Sequence, residues 1–380
     1  MCGTQQYDKN AESAEVSAVE RLRELRASGE PILPVKVPPR YRRLVKREIR
    51  ELREREGPLY SVVYPREEKF STFAPGEKVN FVEDLDHMPP GLQRVVVHRY
   101  PHKILFLPTQ RCFGHCQYCF RPDVTDSTCR ENLDEDTIRQ VRAYLKLHPE
   151  VREVIFSGGD PLTCDVRRLA RAAESFRSLP SVKHLRLHTR APVYAPDALS
   201  DEVLDFLAEY DVRIVIHAVH PYELEGEAAD RTARLFERGI RAYNQFPLLR
   251  GINDHPAAVM ELAYRCNELG VGMLSIFIAD PIRYGATYRI RLERVFDIAD
   301  QVFFNGEAWI SNFRLCLDSP VGKVKREHVI RHDRARGVYV FQRQGGRTVY
   351  HDIPAELGRP TPLEKLLYRG ATHVDLDEWR

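Results

Sequence analysis

Three cysteines stand close together, in the run Cys112-Phe-Gly-His-Cys116-Gln-Tyr-Cys119-Phe-Arg121. Thiolates are soft ligands, suited to iron–sulfur clusters and to zinc. At C-x3-C-x2-C spacing, Cys112, Cys116 and Cys119 can hold three irons of a [4Fe–4S] cubane and leave the fourth open to a chelating ligand. A zinc knuckle would want a fourth Cys or His at finger spacing, and His115, inside the motif, has nothing to complete one with. The other cysteines, Cys2, Cys129, Cys164, Cys266 and Cys316, are scattered and read as ordinary thiols. Such scatter in a chain this long does not make a secreted disulfide scaffold.

An open iron can bind the amino and carboxylate groups of S-adenosylmethionine (SAM). An electron from the cluster then breaks the sulfonium C–S bond, and the 5′-deoxyadenosyl radical so formed abstracts an unactivated hydrogen. The cofactors carry that chemistry, and the protein supplies position and shielding. The elements that must do so begin with the apolar run 104–108, directly before the motif. Five more β-type runs follow, at 151–156, 184–188, 213–217, 242–246 and 273–278. Amphipathic helical stretches at 134–147, 166–178, 199–209, 227–238, 256–269 and 291–303 alternate with them. Strict alternation implies a parallel sheet with helices outside it, either an open doubly wound sheet or a barrel. The cysteines lie just past the first strand's C-terminal end, where barrel loops carry chemistry. The prediction is an α/β fold, a partial (β/α)6 barrel. Ser157-Gly158-Gly159-Asp160 follows the second strand, and its glycines let backbone approach the methionine end of SAM, although a plain turn also uses them. His188-Thr189-Arg190, His217 and Asn244-Gln245 end the third, fourth and fifth strands at the same mouth.

Around this core the chain divides into three. Residues 1–97 form an extension with helical spacing from Ala11 to Ala27, a proline-rich linker at 31–40 and a charged helix at 41–56. Residues 98–304 form the barrel. Residues 305–380 hold apolar runs 329–341 and 347–350 flanking Gly345-Gly346, which predict a β-hairpin, and a short helix at 361–369. A 380-residue chain that is 43% hydrophobic can bury a sizeable core. With 57 Lys and Arg against 55 Asp and Glu, the net charge of +2 calls for neither nucleic acid nor an anionic membrane. The N-terminus has no secretory h-region, Cys2 stands where myristoylation needs glycine, and no run of about 18 apolar residues exists. A cytoplasmic protein without a membrane anchor is expected.

Further segments carry a resemblance: His98-Arg99-Tyr100-Pro101, Ser157 to Leu162, His188-Thr189-Arg190-Ala191-Pro192-Val193, His217 with His220-Pro221, and Leu248-Leu249-Arg250-Gly251-Ile252-Asn253-Asp254. With the cysteine motif, and over about His98 to Lys323, the chain resembles the lysine 2,3-aminomutase family of radical SAM enzymes. The resemblance implies a [4Fe–4S] cluster, SAM and pyridoxal 5′-phosphate (PLP), with nitrogen migrating from Cα to Cβ of an amino acid after a β-hydrogen is removed. It implies SAM contacts from Ser157, Gly158, Gly159, Asp160, Arg190, His217 and Gln245. Asp318-Ser319-Pro320-Val321-Gly322-Lys323 matches the family's Asp-x-Pro-Gly-Gly-Gly-Gly-Lys and makes Lys323 the PLP lysine. The glycine run is shorter here, so Lys325 is the alternative. Arg99, Tyr100 and Lys103 match residues near the PLP phosphate. Arg121 matches the arginine that pairs with the substrate carboxylate. Asp280 and Asp318 match two aspartates that hold the distal ammonium of lysine, which implies a cationic small-molecule amino acid. A flavodoxin or ferredoxin as electron donor and a homo-oligomer follow by the same resemblance.

Three readings stay open. One is a PLP-dependent amino acid 2,3-aminomutase. Another is a PLP-independent radical SAM enzyme that performs an epimerisation, dehydration or elimination, and the role of Lys323 separates the two. The third is a non-catalytic iron–sulfur or zinc module, which would carry a cluster without cleaving SAM.

Overall fold

The computed structural model describes residues 18–122, 125 and 131–379; Cys2, Cys129 and the start of the Ala11–Ala27 stretch lie outside them, while 18–27 are helical. The apolar runs become strands because each is covered on both faces. In β3, Glu153–Gly158, four consecutive residues are buried, one side chain after another facing the barrel interior and the helix layer in turn. The main sheet comprises β1 Val96–Tyr100, β2 Lys103–Thr109, β3, β4 His184–Thr189, β5 Val212–Ile216, β6 Ala242–Leu248, β7 Val271–Ile278 and β8 Arg314–Cys316. Strand order follows the sequence from β1 to β8. β2 through β8 are parallel, and β1 pairs antiparallel with β2. The sheet stays open between β1 and β8. It is the expected partial barrel, with β2 to β7 as its six predicted strands.

The two edge strands escaped the sequence. β1 lies at the end of a Pro- and Gly-rich stretch, and β8 has three residues, too few to show a period. β1 crosses the boundary drawn at residue 97, and β8 comes from the 305–380 segment, so the sheet draws on all three segments.

Helix α1, Pro39–Leu52, lies ahead of the sheet in the chain. Six more cover it: α2 Glu135–Leu147, α3 Val166–Arg177, α4 Asp201–Glu209, α5 Glu227–Glu237, α6 Pro256–Glu268 and α7 Leu292–Asn305. Asp134, Asp165 and Ser200 cap α2, α3 and α4 by accepting first-turn backbone N–H groups. Phe106 of β2 meets Phe156 of β3 and Phe176 of α3 edge to face, at ring separations of 5.5 and 5.2 Å. α1 opens on Pro39 and buries Tyr41, Val45 and Glu48 against the barrel, four and three residues apart. At the other end, the run 329–341 is not one hairpin arm. It breaks around Gly337, at φ +61°, into β9 Val329–Asp333 and β10 Val338–Arg343, and β11 Gly346–His351 completes a three-stranded sheet. Among the described residues no helix is long and apolar enough to cross a membrane.

Candidate active site

Side chains alternate along a strand, so one face of each barrel strand looks inward. In β4, Arg186 and His188 face in, while Leu185 and Leu187 are buried on the other side. The inward faces enclose a cavity of about 590 Å3. The three cysteines, Ser157 to Asp160, Arg190, His217, Gln245, Arg99, Tyr100, Lys103, Arg121, Asp280, Asp318 and Lys323 all line it; Asn244, His220 and Lys325 do not.

The cysteine loop is pinned from outside the barrel. Lys36 Nζ donates to Cys112 O at 2.6 Å, and the His115 and Gln117 N–H groups donate to Lys36 O and Val62 O at 2.9 and 2.8 Å. Cys116 Sγ lies 3.1 Å from the Tyr194 hydroxyl. Burial, then the neighbouring Cys119, Asp160 and Cys116, raise the Cys112 thiol well above its ordinary value. Burial pushes Cys119 up to about 11. Such thiols ionise only when a positive centre draws their protons off, which is what iron supplies. No three His, Cys, Asp or Glu side chains converge on one metal ion among the described residues. Thiolates on three separate irons have no need to.

The loop after β3 is bound to the loop after β2. A Cβ at Gly158, φ +102°, would lie 2.2 Å from Thr109 O, and one at Gly159 would lie 2.2 Å from Arg111 O. The glycines therefore serve a close approach of the chain to itself, beside Cys112, while still lining the cavity. Asp160 joins the ends of β3 and β4: its carboxylate accepts from Leu162 N, Thr189 Oγ1 and Arg190 N at 3.1, 2.7 and 2.8 Å. Burial lifts its pKa to about 6 against those bonds.

Arg190 is committed to a buried network. It donates to the Tyr118 hydroxyl at 2.6 Å and pairs with Glu223 at 2.5 Å, and Tyr41 donates to the same Glu223 oxygen at 2.6 Å. His217 Nε2 lies 3.1 Å from the Tyr118 hydroxyl. Glu223, fully buried, was missed in the sequence, where it is one acid two residues past His220-Pro221. Burial holds His217 and His188 neutral, with Arg190 beside His217 and Arg186 beside His188 adding to the effect. Gln245 Nε2 lies 3.3 Å from His188 Nδ1, and His188 Nε2 is buried with no partner among the described residues. Asn244 turns the other way and pairs with both backbone groups of Ala218 at 3.0 Å, as the strand alternation requires. His220 also leaves the cavity, toward Leu366 O at 3.0 Å.

At the far wall, Lys323 Nζ donates to both Asp318 oxygens at 2.9 and 2.8 Å and sits 4.2 Å from the centre of the Phe277 ring. Burial alone would raise Asp318, but Lys323 holds it below the usual carboxylate range. Burial alone would lower Lys323, but Asp318 keeps it above the usual lysine value. Asp280, just past β7, is raised well above the ordinary range by burial and then by the charge of Asp318. Arg99 is spent on Val82 O and Ser319 O, lacing β1 to the segment after β8. Tyr100 keeps a buried hydroxyl without a partner among the described residues, and Lys103 Nζ stands 4.9 Å from its ring centre. Arg121, expected to face a substrate, pairs with Asp84 from the turn Asp84–His87, a partner the sequence did not suggest. Lys325 lies outside, in a surface pair with Glu327 at 3.1 Å, and is no alternative to Lys323.

The radical SAM superfamily profile matches residues 106–263, from β2 into α6. An Aquifex aeolicus (strain VF5) protein of the lysine 2,3-aminomutase type is 32% identical over 241 residues, 62% of this chain and 63% of that protein. The L-lysine 2,3-aminomutase of Escherichia coli (strain K12) is 27% identical over 237 residues, 62% of this chain and 67% of that protein. The chain carries a radical SAM domain and is related to lysine 2,3-aminomutases, spanning a little under two thirds of the length of the Aquifex relative. A solved radical SAM methyltransferase from Sphaerobacter thermophilus aligns at TM-score 0.42 and 15% identity, over 58% of this chain and 67% of that one.

Radical SAM membership implies a [4Fe–4S] cluster and SAM, and the three cavity-lining thiols fit the cluster. The donors at the far wall fit PLP: an unpartnered Tyr100 hydroxyl and the Lys103 ammonium suit a phosphate, and Lys323 lines the same cavity.

Proposed function

We propose that this protein is a PLP-dependent amino acid 2,3-aminomutase of the radical SAM type, acting on lysine or a similar cationic amino acid. One observation carries the reading: a single cavity is lined both by the three thiols and by Lys323, Asp318, Asp280 and Arg121. When bound, the cluster and SAM supply a hydrogen-abstracting radical, and PLP supplies a covalent hold on the migrating nitrogen. On this reading residues 98–304 are the radical SAM barrel, 1–97 an extension ahead of it, and 305–380 the segment that brings Lys323 and Asp318 to the site.

The chain's own residues then bind and orient. Cys112, Cys116 and Cys119 ligate the cluster. The Ser157–Asp160 loop, Arg190, His217 and Gln245 hold SAM against it. Lys103 and the Tyr100 hydroxyl take the PLP phosphate, with Arg99 keeping the β1 edge in place. Lys323 must give up Asp318 to reach PLP, and an incoming ammonium replaces it as the counter-ion of that carboxylate. The same cation favours ionisation of Asp280, whose charge Asp318 opposes. Arg121 is shared between Asp84 and the substrate carboxylate. A flavodoxin or ferredoxin in the cytoplasm would supply the electron.

The test is to purify the protein without oxygen, rebuild its cluster and supply PLP. Absorbance is recorded with and without borohydride, and the digested protein is analysed by peptide mass. A borohydride-sensitive band with a reduced pyridoxyl adduct on Lys323 is expected. A full cluster with no adduct sinks the aminomutase reading. The PLP-independent reading would then stand, and the Asp318–Lys323 ion pair, which keeps the amine protonated, is the feature that favours it.

A further inference from the structure

We propose that Lys69 is the buried counter-ion of the iron–sulfur cluster, fixing the loop between Cys116 and Cys119 and raising the potential at which the cluster accepts an electron. The proposal rests on the reading of the three cysteines as cluster ligands.

Lys69 belongs to the turn Glu67–Phe70, in the extension ahead of the barrel, and is only 3% exposed. Its Nζ donates to Gln117 O at 2.6 Å and to Gln117 Oε1 at 3.0 Å. Gln117 stands between two of the cysteines, and its own N–H donates to Val62 O at 2.8 Å. The loop is thus held from the extension at both its backbone and its side chain. Among the described residues no carboxylate pairs with Lys69. The neighbouring charge that favours its ammonium is Cys119, while Arg66 opposes it.

A lone buried ammonium is costly unless a counter-charge lies near. Burial, opposed by Cys119 and reinforced by Arg66, brings Lys69 down to about 7. A cubane held by three thiolates carries net negative charge, and reduction adds one electron to it. A fixed cation at that loop stabilises the reduced state more than the oxidised one. Local charge and hydrogen bonding are what set iron–sulfur potentials. No bond forms or breaks in this step: the electron passes from a reduced flavodoxin or ferredoxin to the cluster, and Lys69 keeps its proton.

The experiment compares wild type, Lys69→Met, Lys69→Gln and Lys69→Arg, each rebuilt with iron and sulfide and titrated with dithionite under EPR in the presence of SAM. Lys69→Gln removes the charge and retains an N–H donor, one atom shorter in reach. In Lys69→Gln and Lys69→Met, the ratio of reduced to oxidised cluster at a fixed potential should fall about tenfold, 59 mV for a one-electron couple. Lys69→Arg should stay near wild type. Neutral variants that hold full iron at an unchanged potential overturn the proposal. Loss of iron from Lys69→Met but not Lys69→Gln, with the potential of Lys69→Gln unmoved, overturns the charge role as well. Wild type that takes up no iron overturns the cysteine reading and this proposal together.

Discussion

The two walls of the cavity are built on opposite principles. At the cysteine wall the backbone is held by Lys36, Lys69, Val62 and Asp160, and the thiols themselves line the cavity, Cys116 beside the Tyr194 hydroxyl. At the lysine wall the functional side chains are tied to each other: Asp318 to Lys323, and Arg121 to Asp84. The first wall awaits a group that brings its own positive charge. In the second, a ligand that takes Lys323, Asp318 or Arg121 must exchange partners with them, while the Tyr100 hydroxyl has no partner among the described residues. Buried charges demand that difference, since an unpaired ion costs several kcal/mol while a neutral thiol does not.

The largest expected effect separates the walls outright. Cys116→Ala should abolish 5′-deoxyadenosine formation and bring bound iron and sulfide to background, while pyridoxal labelling of Lys323 with borohydride persists. Lost labelling in that variant would mean the walls are not independent. Next, Gly158→Ala forces a Cβ against Thr109 O at a positive φ, so unfolding should become easier by about 3 kcal/mol or more, read from a denaturant titration. A near-neutral result would show that the loop carrying Cys112 is not tightly bound to β3.

A pH profile sharpens the lysine wall. Asp318 raises Lys323 and burial lowers it, so Asp318→Asn leaves burial unopposed. The amine should then lose its proton at lower pH. Borohydride trapping of pyridoxal needs the neutral amine, so its rise should move to lower pH. An unmoved profile would break the idea of a self-neutralised wall. The smallest effect serves as a control: Lys325→Met removes an exposed pair and should shift stability by no more than about 0.5 kcal/mol, with Lys323 labelling unchanged.

Much of this architecture was legible in the chain because its signals are local. The cysteine spacing fits within eight residues, and each βα unit announces itself by a change of period. Six strands, the three cysteines and the polar residues at the strand ends followed from that, while Arg99, Tyr100, Lys103, Arg121, Asp280, Asp318 and Lys323 came from the family resemblance. β1 and β8 did not, because a short edge strand is defined by its neighbour and not by its own pattern.

What the sequence determined by itself is therefore the covalent inventory: which ligands exist, at what spacing, at the end of which kind of strand. What only the tertiary structure decided is which charge answers which. Asp84 finds Arg121 across 37 residues, and Glu223 finds Arg190 across 33. Neither spacing carries a period. Each pair forms because burial makes an unanswered ion too costly, and the partner is whichever group the folded backbone brings within reach.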